Sequence, residues 1–277
     1  MKHRIFRVAA GACAIFMANG LIAGEELVKW GADAEALKKE WGSKIEFQEM
    51  DGKLCGVVDS KAFITGKSFI PVEAGKKYVL SGTFKSLGTK PSKVYYGFRC
   101  YCKDKKEIWS SNSNVVLDSA TTLAAECNKG DKKIVIKANK KWKPRYAAAF
   151  NVKDDFSDLP NRETSSRIVK ITPQGENGET MEVELSKPVN KSYPAGTQVR
   201  AHSTGYGTYI YTAICGSLIP AEWKTYTSAA SIAEPGKMSH KLLRPGTAFV
   251  RIIILPNYSK KSDGKMAFTD LTLKVAE

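Results

Sequence analysis

The chain predicts an all-β fold, a β-sandwich. Three observations predict it. Apolar and polar residues alternate with a period of two in many short runs, as where Tyr78, Leu80, Gly82 and Phe84 face one way and Val79, Ser81 and Thr83 the other. The runs are regularly spaced and bounded by turn chemistry such as Asp51-Gly52, Ala74-Gly75 and Gly88-Thr-Lys-Pro91. Helical periodicity is confined to one stretch near the start. Many short strands with few helices are the pattern of a sandwich.

The elements follow in order. Residues 1–23 open with Met-Lys-His-Arg-Ile-Phe-Arg, continue as an apolar run from Val8 to Ala23, and carry small residues near Gly20 and Gly24. This predicts a secretory signal peptide, cleaved after Ala18-Asn-Gly20 or Leu21-Ile-Ala23. The run is too short to span a bilayer, and Ala10 stands where a lipidated Cys13 would want leucine. The expectation is a secreted or envelope protein, periplasmic or extracellular, with no transmembrane anchor after cleavage. Leu27, Trp30, Ala34, Leu37 and Trp41 then recur at helical spacing, predicting a helix within Glu25–Trp41 that Gly42 ends.

From Lys44 the signals are strand. Strands are predicted at Lys44–Glu49, Lys53–Val58, Lys67–Val72, Lys77–Lys85, Lys93–Cys102 and Glu107–Trp109. A second set lies at Lys129–Ile136, Tyr146–Val152, Arg167–Ile171, Thr180–Leu185 and Thr197–Ala201. A third lies at Tyr206–Cys215, Trp223–Ala229, Ala248–Leu255 and Lys265–Val275, with Ser262-Asp263-Gly264 as the last tight turn. The expected organisation is one discontinuous sandwich, residues 25–118 and 201–277, with a module inserted at 119–200, because loop tips tolerate insertion. Three modules in series would leave each half-sandwich with an exposed apolar face.

Composition narrows the function classes. Removing Lys2, Arg4 and Arg7 from a net charge of +15 leaves about +12 on the exported chain. That field favours anionic partners, although lysines scattered along strands also describe a solvated sheet face. The cations form no stripe, and export argues against nucleic acid as a partner. Five cysteines remain, Cys55, Cys100, Cys102, Cys127 and Cys215, so at least one is unpaired or shared. Cys100 and Cys102 share a strand face and cannot bridge each other without strain. Small buried residues with one disulfide are expected, rather than a metal site.

Catalysis finds little support. The exported chain holds only His202 and His240, in no Ser/His/Asp or metal-ligand pattern, and no nucleophile elbow or zinc signature appears. Asp154, Asp155 and Asp158 gather three carboxylates in a loop and could hold calcium, without EF-hand spacing.

The stretch Phe69-Ile-Pro-Val-Glu-Ala-Gly-Lys-Lys-Tyr-Val-Leu-Ser-Gly-Thr-Phe84 is similar to the "v-pGktYtlSf-fk" segment of jelly-roll carbohydrate-binding modules of families four and nine, which are galactose-binding-domain-like sandwiches. Ile219-Pro-Ala-Glu-Trp-Lys-Thr-Tyr226 resembles the family's "lt–W–yt" strand, Phe249–Leu255 its penultimate core strand, and Met266–Leu273 its closing "–iDdv-l" strand. The resemblance covers about two-thirds of the chain, and because this architecture hosts many unrelated roles it implies function by analogy. Gly130 to Arg200 resembles a small β-barrel-like motif of secreted and viral surface proteins, a structural module. The family often carries a structural calcium between its N-terminal segment and last strand. Asp270 stands at the family's late aspartate, but the early "nGgFE" element is replaced by Trp30-Gly-Ala-Asp-Ala-Glu35.

The resemblance implies a non-catalytic protein that binds polysaccharide. Rings would cover the apolar face of a pyranose while polar groups meet its hydroxyls. In Lys93–Cys102 the core-facing set is Val94, Tyr96, Phe98, Cys100 and Cys102. Tyr95, Gly97, Arg99 and Tyr101 take the other face, with Gly97 leaving room for a ligand between rings. Tyr209 and Tyr211 share one side of a later strand. Tyr95, Arg99, Tyr101, Tyr209 and Tyr211 are therefore the candidate sugar contacts, with Arg99 suited to the carboxylate or sulfate of an acidic glycan. The rival readings are a structural or adhesive surface protein whose rings only pack, and a glycan-active enzyme with two carboxylates about 5–10 Å apart.

Overall fold

The computed structural model describes residues 24–205, 209–258 and 264–277. The signal segment expected over residues 1–23 and most of the turn at Ser262-Asp263-Gly264 lie outside the described residues.

The start of the chain departs from expectation. β1 (Glu26–Lys29) is a strand, and the helix α1 is limited to Ala34–Trp41. Asp33 supplies the reason: its carboxylate accepts the N–H groups of Glu35 and Ala36 at 2.9 and 3.3 Å, so the helix nucleates there. Leu27 and Val28 instead lie in a strand paired with the end of the chain. Leu37 and Trp41 keep the helical spacing and are buried.

The elements of the sandwich are β2 (Glu46–Met50), β3 (Lys53–Val58), β4 (Ile64–Thr65), β5 (Ile70–Pro71), β6 (Lys77–Ser86) and β7 (Lys93–Tyr101), followed by a short helix α2 (Ser110–Ser113). The strand expected at Glu107–Trp109 is reduced to a bridge from Glu107 to Tyr101, with the Ile108 N–H on the Cys100 carbonyl at 2.8 Å. The inserted block contributes β8 (Thr121–Thr122), β9 (Lys133–Lys137), β10 (Tyr146–Phe150), β11 (Thr164–Gln174), β12 (Thr180–Leu185) and β13 (Gln198–Ser203). The sandwich resumes with β14 (Ile210–Leu218), β15 (Lys224–Ser231), β16 (Phe249–Leu255) and β17 (Met266–Val275).

Two antiparallel sheets face each other. The first runs β15-β6-β17-β3-β2 with β1 also on β17, and the second runs β14-β7-β16-β4 with β5 also on β16. Period-two alternation fills the space between them. Tyr78, Leu80 and Phe84 of β6, Val94, Tyr96 and Phe98 of β7, Ile252 and Ile254 of β16, and Phe268 and Leu273 of β17 share one core. Gly82 belongs to this inward set. A Cβ there would come within 2.7 Å of Leu271 and 3.1 Å of Tyr96, so glycine lets those side chains close on the strand. The Tyr96 hydroxyl crosses the core to the Ser81 carbonyl at 2.9 Å, which satisfies it although it is fully buried.

The inserted block forms its own sheet, ordered β8-β13-β10-β11-β12-β9. Leu123 bridges to Ile136, and the Ala124 N–H reaches the Val135 carbonyl at 2.8 Å, so the two ends meet and the sheet closes as a barrel. Leu123, Ile134, Ile136, Ile168, Val183, Leu185 and Val199 fill it, and Phe150 stacks on Tyr193 at 4.1 Å. Cys127 lies inside this core, where burial pushes its thiol up to about 11.

A polar layer joins barrel to sandwich. Val115 bridges to His202, and the Val116 N–H reaches the Ala201 carbonyl at 3.0 Å, so the chain enters and leaves the barrel side by side. Arg162 of the barrel donates to the carbonyls of Glu107 and Lys106 at 2.7 and 3.1 Å and to the Cys102 thiol at 3.2 Å. Arg200 pairs with Asp158 at 2.8 Å, and its Nε donates to His202 Nε2 at 3.2 Å. The other ring nitrogen of His202 meets the Ser111 carbonyl at 2.8 Å. Cys55, Cys100, Cys102, Cys127 and Cys215 are all free, so the expected disulfide does not form. Cys100 faces the sandwich core and Cys127 the barrel core, which keeps them apart.

Candidate functional site

The outward face of the second sheet carries a continuous aromatic and cationic surface. Strand register builds it. Along β7 and β16, Tyr101 lies opposite Phe249, Arg99 opposite Arg251, Gly97 opposite Ile253 and Tyr95 opposite Leu255. All eight alternate with core-facing neighbours, so all point away from the core.

β14 completes the surface through an irregularity in register between Ile210 and Ile214. Gly97 makes this possible. A Cβ at Gly97 would collide with the Ile210 carbonyl and the Tyr211 Cα, so the space assigned from sequence to a ligand holds the β14 backbone instead. The close approach sets Tyr211 against Tyr95, with ring centres 4.8 Å apart. Tyr258 meets Tyr95 edge-on at 5.4 Å, Tyr209 meets Tyr211 at 6.2 Å, and Phe63 meets Tyr209 at 5.3 Å. Ile253 and Leu255 face this cluster and are fully buried, so the rings roof them. Phe63 and Tyr258 are the most open members, at 40% and 41% exposure. Burial raises the Tyr211 phenol far above its ordinary range.

Cations border the rings. The Lys61 ammonium lies 4.2 Å from the Tyr258 ring centre, and Lys93 lies 5.8 Å from that of Tyr95. The Arg99 guanidinium is 5.5 Å from Tyr209 and 5.7 Å from both Phe63 and Tyr101. Arg99 is not free to clamp an acidic sugar as expected. Its Nε and a terminal nitrogen hold both Glu107 oxygens at 2.8 and 2.6 Å, and this bidentate pair raises its pKa. Its neighbour Arg251 donates Nε to the Gly66 carbonyl at 2.6 Å and has no carboxylate partner among the described residues. It stands 5.3 Å from the Phe69 ring and 5.8 Å from that of Tyr101.

Four of the five sequence candidates therefore converge as surface groups: Tyr95, Arg99, Tyr209 and Tyr211. Tyr101 shares their face but is 5% exposed, covered by Phe69 at 4.9 Å and by the two arginines. It supports the surface and offers no ring to a ligand. The sequence reading missed Phe63, Phe69, Phe249 and Arg251. Phe249 and Arg251 carried a signal, since they alternate with Val250 and Ile252 along one strand. Phe63 stands just before a two-residue strand and carried none.

The proposed metal ligands are dispersed. Asp158 uses one oxygen on the Lys153 N–H and the other on Asn161 and the buried Arg200. Asp155 caps Ser157 at 2.9 Å, and that hydrogen bond lowers its pKa. Asp270 sits at φ 53 in a bulge of β17, where Lys53 takes its carboxylate at 2.6 Å. Among the described residues no three His, Cys, Asp or Glu side chains converge as metal ligands, so Asp154, Asp155, Asp158 and Asp270 do not fit a structural calcium site.

Among the described residues no helix is long and apolar enough to cross a membrane. No protein-family model matches the chain, and no curated protein matches it. Among solved structures, the CBM22-1 xylan-binding domain from Paenibacillus barcinonensis Xyn10C matches at a TM-score of 0.39 and 7% identity, over 93% of this chain and 99% of that one.

Proposed function

We propose that the outward face of the second sheet binds polysaccharide without chemical conversion. The single observation behind this reading is the cluster of Phe63, Tyr95, Tyr209, Tyr211 and Tyr258, rings in mutual contact on an open sheet face with cations at their border. A roofed cluster of this kind is rigid, so it presents flat apolar surface without the entropy loss of ordering loose side chains. Pyranose faces stack on the open rings, while the phenol hydroxyls, Lys61 and Lys93 meet the sugar hydroxyls. Arg251 biases the face toward acidic sugars, because its charge lacks a carboxylate partner within the described chain. The basic and then apolar segment of residues 1–23 argues that the protein works outside the cytoplasm, in the envelope or beyond. Glu107 is engaged by Arg99, which favours binding over glycoside hydrolysis.

The burial of Tyr101 favours a second reading, in which the rings only pack and the protein is structural or adhesive. Affinity electrophoresis of residues 25–277 in gels of neutral and acidic polysaccharide separates the two. Retardation that disappears in Phe63→Ala and Tyr258→Ala supports binding at this face. Free migration in every gel supports the structural reading.

A further inference from the structure

The barrel carries a second feature that the aromatic face does not use. From Lys132 to Lys153 the chain holds eight Lys or Arg residues and no Asp or Glu. Four of the eight, Lys140, Lys141, Lys143 and Arg145, lie in the connection between β9 and β10, and all four are exposed.

This connection is tightly held. Asn139 donates to the carbonyls of Asp118 and Ala120 at 2.9 and 3.2 Å and accepts the Lys141 N–H at 2.9 Å. Trp142 is 5% exposed and its indole N–H reaches the Ser119 carbonyl at 2.8 Å, so it anchors the loop from below. The Arg145 N–H meets the Ile168 carbonyl at 2.8 Å, and the Thr204 hydroxyl meets the Arg145 carbonyl at 2.6 Å. The loop is a fixed frame with four cations pointing into solvent.

Two observations separate it from an ordinary solvated face. The charges are scarcely compensated: Asp118 reaches Lys141 at 3.9 Å with both groups exposed, and Lys140, Lys143 and Arg145 form no ion pair among the described residues. Arg145 also sits at φ 73, a region where glycine or asparagine is far less strained. The fold holds an arginine where the backbone alone favours glycine, which points to the side chain as what is needed.

We propose that the β9–β10 loop is a second contact surface, one that docks the carboxylates or sulfates of an acidic polysaccharide. The chemistry favours this partner over other polyanions. No ring is exposed in the loop, so unstacked nucleic-acid bases find no platform, and Pro144 is its only exposed nonpolar side chain beyond Ala138, too little to enter a membrane. Hydrated lysine point charges suit the spaced anions of a hydrated polymer.

The test titrates residues 25–277 with dextran sulfate and with polygalacturonate, neutral dextran serving as the blank, at two salt concentrations. The loop variant combines Lys140→Gln, Lys141→Gln, Lys143→Gln and Arg145→Gln. The control removes the same charge elsewhere, through Lys38→Gln, Lys39→Gln, Lys44→Gln and Lys67→Gln. Loss of four contacts lowers the slope of log affinity against log salt by roughly three and weakens binding by about tenfold, with the control much less affected. Equal losses in the two variants would assign the attraction to bulk charge and overturn the proposal. A loop-dependent affinity for duplex DNA with none for either polysaccharide would overturn the partner class. Tyr95→Ala and Tyr211→Ala should leave the loop's share of the salt slope unchanged, so the aromatic face and the loop can fail independently. Arg145→Gly weakens binding without lowering the melting temperature; a matching loss of stability would mark Arg145 as a structural residue.

Discussion

At the scale of single residues, burial decides which polar groups act and when. His202 is fully buried between Arg200, Asp158 and the Ser111 carbonyl, and burial lowers its pKa to about 4. The unfolded chain binds a proton at this histidine near pH 6.5 and the folded chain does not, so stability falls as pH drops from 6.5 toward 4. The loss is about 3 kcal/mol, read from denaturant unfolding at pH 7, 5.5 and 4. His202→Gln removes that portion of the slope, and an unchanged slope would show that the imidazole is accessible to protons. At the aromatic face, Phe63 and Tyr258 are the residues to truncate, because both are substantially exposed. If the face binds sugar as proposed, each change to alanine should lower that affinity by about tenfold, the equivalent of roughly 1.4 kcal/mol, while stability shifts by less than about 1 kcal/mol.

At the scale of elements, period-two alternation made most of the sandwich legible. Lys53–Val58 matches its prediction, and the strands at 77–86, 93–101 and 249–255 fall within one or two residues of theirs. The same alternation placed Tyr95, Arg99 and Tyr101 on one face but could not say that Phe69 covers Tyr101, because that contact comes from a distant segment. It read Gly97 as open space, whereas Gly97 admits the β14 backbone. Gly97→Ala should therefore destabilise by at least about 2 kcal/mol and disturb β14 selectively, observable as faster amide exchange in residues 210–218. The N-terminal misreading has another cause. Leu27 and Trp30 fit helical spacing, but the capping group that decides where the helix begins is Asp33. Asp33→Ala should cost about 1 kcal/mol in thermal unfolding.

At the scale of the whole molecule, the inserted block closes its own sheet around its own core, and its entry and exit strands are hydrogen-bonded neighbours. We infer that the sandwich of residues 25–118 and 201–277 folds without residues 119–200. Replacing them with a short linker should leave a cooperative thermal transition and a near-ultraviolet aromatic signal. A product lacking both would show that the polar layer around Arg162 and Arg200 makes barrel and sandwich one folding unit. The insertion was legible because the strand signals on either side complete each other's missing partners. The basic loop was not, because the exposure of its four cations depends on Trp142 turning inward.

The five unbridged thiols bear on how this fold can be made. A sandwich and a barrel that close on hydrophobic cores alone need no oxidant, isomerase or particular order of pairing to mature. The melting curve of residues 25–277 should therefore be the same with and without a reductant. Air then becomes the hazard. Cys215 is exposed on a sheet-edge strand, so storage without reductant should slowly tie molecules into pairs, and replacing that residue by serine should slow the pairing.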